Sequence, residues 1–273
     1  MDFTPLPERP VVLVFAGHDP GGGAGVQADI EAIGSLGCHA ATLLTALTVQ
    51  DTRDVRRYLP VPVELLLEQA ELLLADYRIA AVKVGMTGAP ETVAAIATVL
   101  DRLPGVPVVV DPVLAAGGGT SLGGDALRTA LRRHLLPRAT LATPNSPEAL
   151  ALAPEADTPA ACAQELLAGG CAHVLVTGGH DAGPEVVSTL YGNHRMIARH
   201  AWPRLPGEFH GSGCTLASAC AALLAQGADI ASAVDEALAY TWHALGSARR
   251  PGQGQAVPDR FFWAQGKRWQ RSN

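Results

Sequence analysis

Five stretches of the chain share one design, an apolar, β-rich run that stops at glycine, proline or a small polar residue. They are Val11 to Phe15 before Ala16-Gly17-His18-Asp19-Pro20, Ile79 to Val84 before Gly85-Met86, Val108 to Val110 before Asp111-Pro112, Thr140 to Ala142 before Thr143-Pro144-Asn145, and His173 to Val176 before Thr177-Gly178-Gly179-His180. Uninterrupted apolar runs of this length predict strands buried on both faces, and hence a parallel sheet covered by helices.

Between these runs the period changes to that of a helix. Val26, Ile30 and Ile33 recur at i, i+4 and i+7, Leu65, Leu66, Ala70, Leu72 and Leu73 form a strongly apolar helix, and Val93, Ile96, Ala97 and Leu100 repeat the spacing. Strands alternating with helices predict a doubly wound α/β sheet, whose ligands bind beyond the carboxyl ends of the strands. The five loops are therefore expected to converge on one crevice. Later, Val186 to Tyr191 and Met196 to Ala201 flank Gly192-Asn193, which reads as a hairpin and a small antiparallel extension of the sheet. Two more helices follow, carrying Leu216, Ala219, Cys220 and Leu223, then Ile230, Val234, Leu238, Thr241 and Leu245. The stretch from Pro251 onward lacks strong periodicity and is expected to dock loosely. One domain over residues 1–273 is expected, with about 1–10 and 251–273 peripheral.

Composition narrows the class. Of 273 residues, 48% are hydrophobic and 17% charged, which suits a packed core and excludes disorder over most of the chain. Net charge is -6 and the 20 basic residues are scattered, so no stripe for nucleic acid emerges. No apolar stretch approaches the ~20 residues of a membrane span, and the proline- and acid-rich start does not read as an export signal. The five cysteines are odd in number and contain no Cys-x-x-Cys pair, which fits a reducing cytoplasm rather than a disulfide framework or a zinc site. Lys83 and Lys267 are the only lysines, so a phosphate site here must use backbone amides, arginine or metal.

Gly17 to Gly25 holds five glycines in nine positions between the first strand and first helix. Val26 stands where a dinucleotide fingerprint needs glycine, and no Gly-Lys-Ser/Thr occurs, which weakens both a nicotinamide enzyme and a P-loop. The loop reads as substrate-facing or as a tight structural turn. His210-Gly211-Ser212-Gly213-Cys214 precedes a helix, whose free amides and dipole favour an anion. Donors held in such a turn stabilise the charge of a phosphoryl group in transfer. Cys214 lies in the same field, so a lowered thiol pKa and a role as proton acceptor are expected. Asp111, Asn145 and Glu148 offer hard oxygens suited to Mg²⁺, while Asn145 and Glu148 also have the spacing of a helix cap and its partner. Lys83 reads either as a functional cation or as a side chain reaching the sheet edge, and His18 and His180 as contacts in the crevice.

Taken in order, these motifs resemble the hydroxymethylpyrimidine/phosphomethylpyrimidine kinases of thiamine biosynthesis, members of the ribokinase-like superfamily. The resemblance rests on Ala16 to Asp29, Thr45-Ala46-Leu47-Thr48-Val49-Gln50-Asp51-Thr52, Lys83 to Met86, Asp111-Pro112-Val113, Thr143 to Ala149, Gly178-Gly179-His180 and His210 to Thr215. It implies phosphorylation by ATP and Mg²⁺ of 4-amino-5-hydroxymethyl-2-methylpyrimidine and then of its monophosphate, in a cytoplasmic homodimer. It further implies a substrate site of Gln50, Met86, Ala24, Val113, Gly17 and Asp19, with Gln50 reading the aminopyrimidine edge. Asn145, Thr177, Gly179 and His180 would meet the nucleotide, Glu148 and Asp111 the metal, and Gly211, Ser212, Gly213 and Cys214 the reaction itself. Thr177 stands where the family commonly has lysine, and threonine at the comparable place is at home in pyridoxal kinases, the nearest rival. A hydrolase or acyltransferase using Cys214 as nucleophile with His210, or a non-catalytic pyrimidine-binding protein, are readings of other classes.

Overall fold

A computed structural model describes residues 8–179 and 182–265. Its framework is one nine-stranded sheet: β1 (Val11–His18), β2 (His39–Gln50), β3 (Val55–Pro60), β4 (Ile79–Val84), β5 (Val108–Val110), β6 (Leu141–Ala142), β7 (His173–Val176), β8 (Glu185–Gly192) and β9 (Arg195–Pro203). The strand order is β3-β2-β1-β4-β5-β6-β7-β8-β9. All neighbours from β2 to β7 are parallel, and antiparallel pairs occur at both edges, β2 with β3 and β7 with β8 with β9.

The helices are α1 (Gly25–Ser35), α2 (Val63–Asp76), α3 (Pro90–Leu100), α4 (Asp125–Ala130), α5 (Ser146–Leu152), α6 (Pro159–Ala168), α7 (Ser212–Ala225) and α8 (Ile230–Gly246). Alternate residues of β1 face opposite cores: Leu13 and Phe15 pack with α2 to α6, and Val12, Val14 and Ala16 with α1, α7 and α8. All five are 0% exposed, which is why the sequence there is apolar without alternation. Burial of this kind contributes roughly 25 cal/mol for each Å² of apolar surface removed from water. Because β2 and β4 lie on opposite sides of β1, the order reverses at β1 and a crevice opens beyond its carboxyl end.

Three expectations need correction. The hairpin turn is centred on Asn193 and His194, which both have positive φ, and Gly192 still pairs with Arg195; short polar side chains tolerate this backbone, so the turn sits one residue later than glycine alone suggests. The stretch after Pro251 is not loosely docked over its described length: Ala256, Arg260 and Phe262 are buried, and Tyr240 Oη donates to Arg260 O at 2.8 Å. Lys83 neither reaches the sheet edge nor faces solvent. Its ammonium donates to both carboxylate oxygens of Asp29 at 2.9 Å with both side chains 0% exposed, and Ser218 Oγ donates to the same Asp29. Burial pulls the Lys83 ammonium down most strongly, yet the negative groups around it, Asp29 foremost and then Cys214 and Asp111, together override it and hold the group above the ordinary lysine range.

Candidate active site

The loops that follow β1, β4, β5, β6 and β7 open on a single cavity of about 730 Å³, which the turn before α7 closes on one side. Residues singled out in the sequence line it together, among them Gly17, His18, Ala24, Gln50, Met86, Asp111, Val113, Asn145, Glu148, Thr177, Gly179, Gly211, Ser212, Gly213 and Cys214. His180 lies outside the described residues. A smaller depression of about 270 Å³ near Arg132 and Arg133 stands apart from these loops, and Arg132 is paired there with Glu165 at 3.1 Å.

Asp19 belongs to the scaffold and not to the cavity wall. It is 1% exposed, and its carboxylate accepts from Gly21 N and Ala24 N at 2.8 Å each and meets His210 Nε2 at 2.8 Å. Burial works against its charge, but the hydrogen bonds from His210, Ala24 and Gly21 prevail and hold the carboxyl below its ordinary range. The carboxylate carries a structural duty: it shapes the glycine loop and fastens it to the turn before α7.

That turn owes its form to Gly211, whose φ of 85° is left-handed and whose missing side chain lets it lie against Gly23 O; a methyl there would overlap that oxygen. No side chain caps α7, so the first-turn amides of Ser212, Gly213 and Cys214 are available to an anion in the cavity. The expected lowering of the Cys214 thiol does not occur. Burial pushes it up to about 12, and the Asp111 and Asp29 charges add to that, against the pull of Lys83 and of the Gly25 amide. The helix dipole is outweighed by desolvation among carboxylates.

Asn145 and Glu148 form a complete capping box at the start of α5. Glu148 N donates to Asn145 Oδ1 at 2.9 Å, and Asn145 N donates to Glu148 Oε2 at 3.0 Å. Glu148 Oε1 also accepts from Leu114 N at 3.3 Å. The capping role leaves the carboxylate on the cavity wall beside Asp111, so both readings of Glu148 hold geometrically. Burial, then the Asp111 charge, push Glu148 up to about 8. Burial likewise raises Asp111 to about 6, although Lys83 opposes it and the Cys214 thiol hydrogen-bonds to it. Asp111 Oδ2 is buried without a hydrogen-bond partner. Two crowded acids with an open oxygen fit a divalent cation that brings waters and phosphate oxygens as its other ligands. Among the described residues no group of three or more His, Cys, Asp or Glu side chains converges as a self-sufficient metal site.

Gln50 ends β2 and faces the cavity with Thr48, on an edge where Leu47, Val49 and Leu59 are exposed. Sequence reasoning overlooked β2 and β3 because β2 is only half buried and is interrupted by threonine. It also overlooked the part of the cavity lined by Trp202, Leu238, Trp242 and Leu245. Arg204 stands there too, donating to Gly183 O at 2.7 Å and Gly179 O at 3.0 Å. Trp202 at the end of β9, followed two residues later by Arg204, was the available signal.

A doubly wound sheet with antiparallel edges, and an uncapped helix facing paired carboxylates across its crevice, place this chain among the ribokinase-like small-molecule kinases. Comparison with known proteins narrows this: residues 19–259 match the family described as phosphomethylpyrimidine kinase. The chain belongs to that family. It is 38% identical over 258 residues to the hydroxymethylpyrimidine/phosphomethylpyrimidine kinase of Rhizobium meliloti, covering 92% of this chain and 97% of the relative. Among solved structures it resembles a phosphomethylpyrimidine kinase from Clostridium difficile, with TM-score 0.75, 31% identity and coverage of 87% and 100%. The pyridoxal kinase from Staphylococcus aureus in complex with AMP-PCP and pyridoxal superposes with TM-score 0.84 at 26% identity, covering 93% of this chain and 95% of that one. The chain is thus an ATP-using kinase. No helix among the described residues is long and apolar enough to cross a membrane.

Proposed function

We propose that the chain works as one domain that phosphorylates 4-amino-5-hydroxymethyl-2-methylpyrimidine and then its monophosphate with Mg-ATP, supplying the pyrophosphate for thiamine synthesis. The observation that carries this reading is that Gln50, Met86, Ala24 and Val113 line the same cavity as the turn from Ser212 to Cys214. An amide side chain both donates and accepts, which suits an aminopyrimidine edge, and Met86 and Val113 supply apolar walls.

In this reading the substrate oxygen attacks the terminal phosphorus of ATP as the bond to the departing ADP breaks. The Ser212, Gly213 and Cys214 amides receive the charge on the transferring group. Cys214, reacting as its thiolate, accepts the hydroxyl proton while Asp111 stays ionised. Asp111 and Glu148 would hold Mg²⁺, which supplies charge neutralisation between the phosphates. Thr177 and Gly179 would face the nucleotide, and Arg204, which lines the same cavity, would supply a cation in place of the lysine that Thr177 replaces. We further propose a cytoplasmic homodimer, a state favoured by the exposed Leu47, Val49 and Leu59 on the β2 and β3 edge.

The test supplies the pyrimidine alcohol, its monophosphate and pyridoxal separately with Mg-ATP and measures each phosphorylated product. Turnover of both pyrimidines is expected. Turnover of pyridoxal alone would instead favour the second reading, to which the likeness with the pyridoxal kinase fold lends support.

A further inference from the structure

The stretch that follows α8 delivers one side chain into the interior of the site's framework. Arg260 is 1% exposed, and each nitrogen of its guanidinium donates to a neighbour. Nη1 donates to Glu31 Oε2 at 3.0 Å, Nη2 to Gly23 O at 2.5 Å, and Nε to Thr215 Oγ1 at 2.9 Å. Thr215 Oγ1 in turn donates to Gly211 O at 2.8 Å.

The oxygens reached in this way belong to two particular peptide units. Gly23 O shares its plane with the Ala24 N–H, which donates to Asp19 Oδ2 at 2.8 Å, so that unit is gripped at both ends. Gly211 O shares its plane with the Ser212 N–H, the first amide of α7. Peptide planarity means that fixing the carbonyl fixes the direction of the N–H. We propose that Arg260 is a positioning residue for phosphoryl transfer, holding the Gly23-Ala24 unit directly and the Gly211-Ser212 unit through Thr215. The two walls of the site thereby keep one mutual orientation. The role in transfer rests on the functional reading above, whereas the clamp itself does not.

An arginine is the side chain that can do this, because its planar fork reaches three acceptors in fixed directions. Lysine carries the charge without that geometry. Gly23 and Gly211 lie in contact, so neither wall can tilt without the other. A misplacement of about 1 Å in such a site costs on the order of 100-fold in rate.

The experiment compares Arg260→Met, Arg260→Lys, Thr215→Val, Thr215→Ser and the double variant Arg260→Met/Thr215→Val, with Trp263→Phe as a control for docking of the final segment. Trp263 Nε1 donates to Ser35 Oγ at 2.7 Å, away from the cavity. Each variant is assayed below its own melting temperature, with the acceptor on which the wild type is active. For Arg260→Met the single-turnover rate should fall about 100-fold while nucleotide affinity changes about threefold or less. Arg260→Lys should recover part of the loss and Thr215→Ser nearly all of it. The double variant should be no slower than the worse single one, as expected for residues acting through one chain of contacts. Independently of turnover, exchange protection of the Ala24 amide should drop in Arg260→Met and persist in Trp263→Phe. A folded Arg260→Met with wild-type rate and protection overturns the proposal, as does an additive double variant or an equal loss in Trp263→Phe. Should Arg260→Met not fold, Thr215→Val at the wild-type rate overturns it just as well. Wild-type inactivity on every acceptor would count against the functional reading, and Ala24 protection would still decide the clamp.

Discussion

His210 Nε2 stands 2.8 Å from Asp19 Oδ2 although 191 residues separate the two in sequence. This contact joins the glycine loop after β1 to the turn before α7, the two pieces of the chain that carry most of the site. It also makes Asp19 a stability determinant with a defined pH signature.

The Asp19 carboxyl is held below its ordinary range in the folded chain. Its stabilising effect is therefore complete above the unfolded value of about 3.9 and fades as pH falls through the folded value. Asp19→Asn should lower stability at neutral pH by about 1–3 kcal/mol, because Gly21, Ala24 and His210 lose a charged partner. Thermal melts of both proteins should converge as the pH drops below about 4. A gap that stays constant down to pH 3 would contradict this assignment.

Lys83 and Asp29 are a buried pair, and removing one member strands the other. Lys83→Met should cost about 3–5 kcal/mol in urea unfolding, and Lys83→Met/Asp29→Leu should recover most of it. Were the double variant as unstable as the single one, the cost would lie in packing and not in an unpaired charge.

Glu148 combines two duties that glutamine separates. Glu148→Gln keeps the capping geometry, since glutamine also serves at that position of a capping box, but cannot ionise to offer a carboxylate to a cation. Its melting temperature should stay near that of the wild type while the Mg²⁺ concentration for half-maximal activity rises about tenfold, the loss expected when one charged ligand contact is gone. Asp111→Asn should raise it at least as much. An unchanged Mg²⁺ requirement in both would remove these acids from metal binding.

With its thiol raised to about 12, Cys214 should be alkylated by iodoacetamide at neutral pH far more slowly than free cysteine. Cys214→Ala should lower kcat by about 10²–10⁴ with little change in nucleotide KM, the range for loss of a proton acceptor. Rapid labelling would contradict the raised thiol, whereas a kcat within a few fold of the wild type would leave the amides of the turn as the sole chemical contribution of that segment.

Much of this was legible from residue order. The apolar runs of β1, β4, β5 and β7 announced strands buried on both faces, and the loops after them met at one cavity, because a parallel sheet leaves its ligands no other end. β2 and β3 were not legible: their outer residues, such as Leu47 and Leu59, are apolar yet exposed, so the pattern carries no sign of an inner face. Asp19 looked like a ligand contact because nothing in its neighbourhood of the sequence names His210 as its partner. The expected thiol shift of Cys214 had the wrong sign, since the helix start is visible in sequence whereas burial near Asp29 and Asp111 is not. Arg260 left no trace at all, being one arginine in an aperiodic stretch whose three partners are Glu31, Gly23 and Thr215.

The bond between Asp19 and His210 has a kinetic meaning as well. Contacts this distant in sequence demand loop closure before they reward it, and so they form late. During refolding, substrate binding should return only with the slowest structural phase, after helix content has already recovered. A fragment ending before His210 would contain all nine strands and yet have no half-strength version of the site to offer.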